Sequence, residues 1–101
     1  MYGIVTLGPW SSNGTLSNLR RHKVSFHDAA TVFGDPLSST APDPYRAFRE
    51  QRYITIGMSQ RRRLLIVSHS DSGERVRIIS ARTLNRRERK TYEEIFEWLR
   101  R

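Results

Sequence analysis

Three apolar runs joined by links too short to hold a helix constrain this chain more than any other feature. Arg52–Met58 puts Ile54, Ile56 and Met58 on one face, and Arg63–Ser70 holds the near-continuous run Leu64-Leu65-Ile66-Val67. Arg75–Ala81 alternates Val76, Ile78 and Ser80 with Arg77, Ile79 and Ala81. A period of two marks strands, and a short unbroken apolar run marks a central strand covered on both faces. The links, Ser59–Arg62 and Asp71–Gly73, are hairpin-sized, so consecutive strands become antiparallel neighbours.

The third strand runs directly into a helix. Asn85 is a good N-cap and Glu88 stands three residues later, so the two form a capping box. The helix extends from Arg86 to about Leu99, with Tyr92, Ile95, Phe96 and Leu99 as its apolar stripe. Seven of the nineteen residues from Glu74 to Tyr92 are Arg or Lys. The formal net charge is +8, and the segment Arg61–Lys90 alone holds ten cations against Asp71, Glu74 and Glu88. Such concentration points to a polyanionic partner: RNA, DNA, an anionic membrane or an acidic protein. A solvated basic face is the plainer explanation.

Upstream, Tyr2–Leu7 reads as a short strand ended by Gly8-Pro9, and Trp10 as a core or lid aromatic. Thr15–Lys23 forms a short helix with Leu16 and Leu19 on its apolar face. Ser25 caps a second helix, where Phe26, Ala29, Ala30 and Phe33 make one stripe and Gly34-Asp35-Pro36 ends it. Leu37–Arg49, with Pro42 and Pro44, reads as a loop. The order β-α-α-β-β-β-α predicts a single α+β domain over residues 1–101. Its antiparallel sheet has about four strands, with two N-terminal helices and one C-terminal helix.

Several classes of chemistry find no support. With no cysteine, thiolate metal sites and disulfides are excluded. His22 and His27 lie on separate predicted helices, and no glycine-rich phosphate loop or Ser-His-Asp arrangement stands out, so neither metal nor cofactor is expected. No apolar run reaches the ~20 residues of a membrane span, and the N-terminus lacks the basic region of a signal peptide. The expected location is the cytoplasm, without a membrane partner.

What remains is cations beside a few titratable groups. Cleaving RNA with side chains alone needs a base for the 2′-hydroxyl, an acid for the leaving 5′-oxygen and fixed positive charge at the phosphorane. Arg77 and Arg82 are the firmest candidates for the charge, because the guanidinium fork meets two phosphate oxygens at once. Glu50, His69 and Tyr92 are candidates for proton transfer, with Glu88 and His22 behind them. Arg61, Arg62, Arg63, Arg86, Arg87 and Lys90 are candidates for holding RNA. Each has a structural alternative: Glu88 is explained by capping, His69 and Tyr92 by packing, Arg77 by a cross-strand carboxylate, and Arg61-Arg62-Arg63 by a solvated turn.

These motifs together resemble a known family. His22-Lys23-Val24-Ser25-Phe26, Ala29, Val32-Phe33 and Asp35-Pro36 are similar to a signature of the BrnT bacterial toxins. So are Glu50, Arg52-Tyr53 and Ile56-Gly57; Leu64–Val67; Arg77–Arg82; Arg87-Glu88-Arg89; and Tyr92, all in one order and register. The resemblance implies a RelE-like fold and a type II toxin, a ribonuclease that stops translation. It also implies a cognate BrnA-like antitoxin with a ribbon-helix-helix domain, through which the complex reaches operator DNA. Lys23 stands where the family usually has Gly, Ser11 where Asp is common, Gly14 where Lys is common, and His27 where an acid is usual. Two readings follow: an RNA-cleaving toxin, or a catalytically degenerate module that binds RNA, a ribosome surface or an acidic antitoxin tail. A direct DNA-binding repressor is disfavoured by the lack of a recognition-helix pattern.

Overall fold

The structure is a computed structural model that describes residues 4–6, 11–43, 51–71 and 75–100. Its elements are β1 (Ile4–Thr6), α1 (Ser11–His22), α2 (Phe26–Ala30) running into a 3-10 turn (Thr31–Gly34), β2 (Ser39–Pro42), β3 (Arg52–Met58), β4 (Leu64–Asp71), β5 (Arg75–Thr83) and α3 (Arg86–Arg100). The strands form one sheet in the order β1-β5-β4-β3-β2. β2 to β5 are antiparallel throughout, as the hairpin-sized links require, and β1 joins the far edge parallel to β5.

Two upstream expectations need correction. The predicted loop contains β2, which pairs Ser39 with Ile56 and Pro42 with Tyr53. Pro42 is tolerated there because β2 is an edge strand and needs no outward N–H donor. Second, α1 begins at Ser11 rather than Thr15, and it does not dock through Leu16 and Leu19, which are 52% and 44% exposed. Among the α1 side chains described, from Leu16 to His22, Asn18 is the buried one. Leu16 and Leu19 lie about 200° and 100° around the helix from it, so they point elsewhere. The Asn18 amide donates to Val24 O and Ala81 O, each at 2.7 Å, and its Oδ1 accepts from Ala81 N at 3.0 Å. A buried amide with such partners is fully compensated.

The core lies between the helix layer and one sheet face. Val24, Phe26, Ala29 and Val32 pack on Leu65, Val67, Ile78 and Ala81, with Ala30 and Phe33 against them. Ser25 caps α2 as predicted, its hydroxyl accepting from Asp28 N. Gly34 lies inside the 3-10 turn rather than beyond the helix, and Asp35 ends that turn. Asp35 accepts from Met58 N at 2.8 Å and so fixes the turn to β3. Gly57 permits this approach, since a Cβ there would come within 2.9 Å of Ser38 Cβ and Val32 Cγ1.

Lys23 joins α1 to α2 with φ 61°, the left-handed conformation that glycine adopts without cost. Its N–H bonds Leu19 O, and Arg63 donates to its carbonyl at 2.7 Å. Lys23→Gly should therefore stabilise the fold by about 1 kcal/mol, and Asn18→Ala, which strands the Ala81 backbone, should destabilise it by about 2–3 kcal/mol. Urea denaturation measures both.

Candidate functional site

The helices α1 and α2 cover one face of the sheet. The other face carries Arg52, Ile54, Ile56 and Met58 from β3 and Leu64, Ile66, Ser68 and Ser70 from β4, the partners of one another in the ladder. Its third contribution comes from β5, and there a bulge decides the outcome. Ser68 pairs with Ser80 but His69 pairs with Ile78, so Ile79 is an extra residue. Val76 and Ile78 point to the core before the bulge, and Ala81 does so after it. Arg77 and Arg82, five positions apart, would face opposite ways on a regular strand; the extra residue puts both on the open face.

Arg82 opposes Ile66, at the end of the face where the chain turns into α3. Asn85 and Glu88 form the predicted capping box, with Glu88 N donating to Asn85 Oδ1 at 2.8 Å and Asn85 N donating to Glu88 Oε1 at 2.9 Å. The same carboxylate receives Arg82 through two parallel bonds of 2.7 and 2.9 Å. Arg82 thus has a stronger structural tie than its position at a strand end suggested. The Arg82 hydrogen bonds, helped by the Asn85 backbone, hold the Glu88 carboxyl down to about 2 against the opposing effect of burial. In return, the Glu88 hydrogen bond raises the Arg82 pKa.

One turn along α3 from Glu88, Tyr92 is half-buried. Burial, and then the negative charge of Asp35, push its phenol up. Arg87, Glu88, Thr91, Tyr92 and Ile95 line a groove of about 390 Å³ facing Leu37, Ser39 and Ile56. Of the expected apolar stripe, Ile95 is 55% exposed, so α3 overhangs the open face rather than completing a core there. The side chains of Phe96 and Leu99 lie outside those described.

The remaining candidates separate. His69 is 0% exposed and lies on the helix-covered face, away from Arg77 and Arg82. Its Nε2 is 2.7 Å from Thr55 Oγ1, Phe33 meets it edge-on at 4.9 Å and Tyr53 stacks at 6.0 Å. Burial lowers its pKa, against the opposing charge of Asp71. It is a core histidine out of reach of a substrate, which corrects its candidacy for proton transfer. Arg63 is likewise drawn inward. It bonds Lys23 O and sets its Nε 3.8 Å from Asp28 Oδ2, so it ties the β3–β4 hairpin to the helix layer instead of facing a ligand. Arg61 and Arg62 are exposed at the hairpin tip, where Arg62 has φ 62°. Arg86, Arg87 and Lys90 are exposed on α3. Glu50 and Trp10 lie outside the described residues. One open-face cation absent from the candidates is Arg52, which the ladder aligns with Ser70 and, across it, Arg77. Its place in the alternation Arg52, Ile54, Ile56 was the available signal. Among the described residues no group of three His, Cys, Asp or Glu side chains could hold a metal ion, and no helix is long and apolar enough to cross a membrane.

Comparison with known proteins gives this arrangement a family. Residues 10–88 match the model of the ribonuclease toxin BrnT of type II toxin-antitoxin systems. The chain belongs to the BrnT family. The ribonuclease toxin BrnT of Brucella abortus, solved by crystallography, is similar in fold, with a TM-score of 0.54 at 19% identity over 85% of this chain and 99% of that one. Among curated proteins none matches the chain. The α+β fold expected from the motifs is therefore that of a BrnT toxin, and the bulge-aligned arginines, Glu88 and Tyr92 all belong to its open face.

Glu88 gives the site a pH signature. Its carboxyl is held at about 2 in the fold against an ordinary value of 4.5. The stability it contributes is complete above pH 4.5 and is lost as the pH falls toward 2. Thermal melts from pH 6 to pH 2.5 should show a steeper loss for the native chain than for Glu88→Gln.

Proposed function

We propose that this chain is an endoribonuclease that cleaves RNA on the open face of its sheet and thereby stops translation. The observation that carries the reading is the β5 bulge, which aims Arg77 and Arg82 at one surface beside Glu88 and Tyr92. In the cleavage, the 2′-oxygen bonds to phosphorus while the bond to the 5′-oxygen breaks. The 2′-hydroxyl proton passes to a carboxylate, for which Glu88 and Glu50 are the candidates, and Tyr92 protonates the departing oxygen. Arg82 stabilises the charge gathered on the phosphorane, and Arg77, farther along the same face, holds the RNA backbone beside it. Glu88, ionised at neutral pH, also holds the Arg82 fork flat and oriented.

Membership of a type II family supports a cognate antitoxin as partner. We place a ribbon-helix-helix domain in it, with operator DNA bound only through the complex, and the cytoplasm, where RNA is met, as the site of action. Arg61, Arg62, Arg86, Arg87 and Lys90, all exposed, supply the general attraction for RNA or the ribosome. Burial of His69 favours a second reading, a module that binds RNA without cutting it, because the histidine of the sheet is turned away from the open face.

Inducing the protein without an antitoxin should arrest growth and fragment RNA. With purified protein, Arg82→Ala should slow cleavage by about 10²-fold or more and Tyr92→Phe by about 10²-fold. Intact RNA after hours with the native chain would instead establish the binding module.

A further inference from the structure

The open face carries a second cationic feature at some distance from Arg82 and Glu88. Arg52 on β3, Ser70 on β4 and Arg77 on β5 are successive partners across three adjacent strands. All three are partly exposed and point away from the helix layer. In the next open-face row along the strands, Ser68 pairs with Ser80. Two arginines therefore flank Ser70, with the short hydroxyl side chains of Ser68 and Ser80 in the neighbouring row. Adjacent strands lie about 4.8 Å apart, so the two Arg Cα atoms are about 10 Å apart, one on each side of Ser70. Ile54 and Ile66 border this row without charge, and Asp43, whose N–H bonds Arg52 O at 2.9 Å, brings one carboxylate to its Arg52 end.

This row is not an extension of the Arg82 centre. Ser70, partner of Arg77, stands four residues along β4 from Ile66, partner of Arg82. At about 3.3 Å per residue the two rows are about 13 Å apart, too far for one phosphate to touch both. Arg82 is also committed to Glu88 through both of its terminal nitrogens.

We infer that Arg52, Ser70 and Arg77 form a phosphodiester subsite that holds RNA backbone at a phosphate other than the one near Arg82, with Ser68 and Ser80 in the neighbouring row. The inference rests on the reading of the open face as an RNA surface, and it makes Arg52 a substrate-holding residue. Two guanidinium forks and a hydroxyl donor suit a tetrahedral anion with several acceptor oxygens better than a planar carboxylate. The subsite requires a substrate with at least two phosphates.

Binding of a 2′-O-methyl RNA oligonucleotide, which resists cleavage, tests this apart from catalysis. Anisotropy titrations at several salt concentrations should show Arg52→Ala binding about tenfold more weakly, with the slope of log affinity against log salt reduced by about 0.7–1. Arg20→Ala, an equal loss of charge on exposed α1, is the control. Arg52→Lys should keep the slope and lose part of the affinity, and it serves if the alanine variant does not fold. An Arg52→Ala chain indistinguishable from Arg20→Ala overturns the subsite, as does an acidic peptide of equal charge that competes as well as the oligonucleotide. A native chain that holds the oligonucleotide through Arg52 but leaves natural RNA intact sinks the ribonuclease reading and supports the subsite. Cleavage by the native chain with no effect of Arg52 does the reverse.

Discussion

The side chain of Asn18 is the point on which the two layers agree. One amide satisfies the carbonyl of Val24, where the helical layer turns, and both backbone groups of Ala81 in β5. Because those groups are buried, leaving them unmatched would cost more than any single apolar contact nearby supplies. The amide therefore fixes the depth and direction at which α1 meets the sheet. It also fixes Ala81 immediately after the bulge, and so determines that the next residue, Arg82, faces away from the helices. Beside it, Arg63 closes the same joint on the carbonyl of Lys23, the residue before Val24.

From that anchoring the division of labour follows. The helix-covered face holds the apolar core and a hydrogen-bonded chain in which the Thr40 and Thr55 hydroxyls and His69 Nε2 are linked at 2.7 Å each. The uncovered face holds cations, small hydroxyls and the overhang of α3. Arg82 and Glu88 join strand to helix through a bidentate pair, and the cap of α3 uses the same carboxylate. Structure and candidate chemistry thus share atoms there.

What could be read from the chain was what is decided locally. The strands β3, β4 and β5 show in their period and their short links, and Ser25 and Asn85 show as caps because a cap is defined by residues three positions apart. β2 stayed hidden because nothing within Ser39–Pro42 favours a strand; its pairing with β3 makes it one. Asn18 was hidden for a related reason, since its partners lie 6 and 63 residues away. The family resemblance led to the right fold, and the chemistry of phosphate binding together with motif position pointed to Arg77 and Arg82. Spacing could not show that both share a face, because the count of five misleads when one residue is extra. His69 and Arg63 misled in the opposite sense: each is chemically suited to a site, and each is drawn inward by partners far along the chain.

β2 has one more consequence. All four of its residues are exposed, and it is the last strand on its side of the described sheet, ending at Pro42. An open strand edge invites copies of the same chain to add on. A proline at its end, lacking a donor, shortens the template on offer, and a formal charge of +8 makes like molecules repel. The exposed edge is thereby kept from seeding aggregation, while the same charge leaves the molecule free to associate with polyanions.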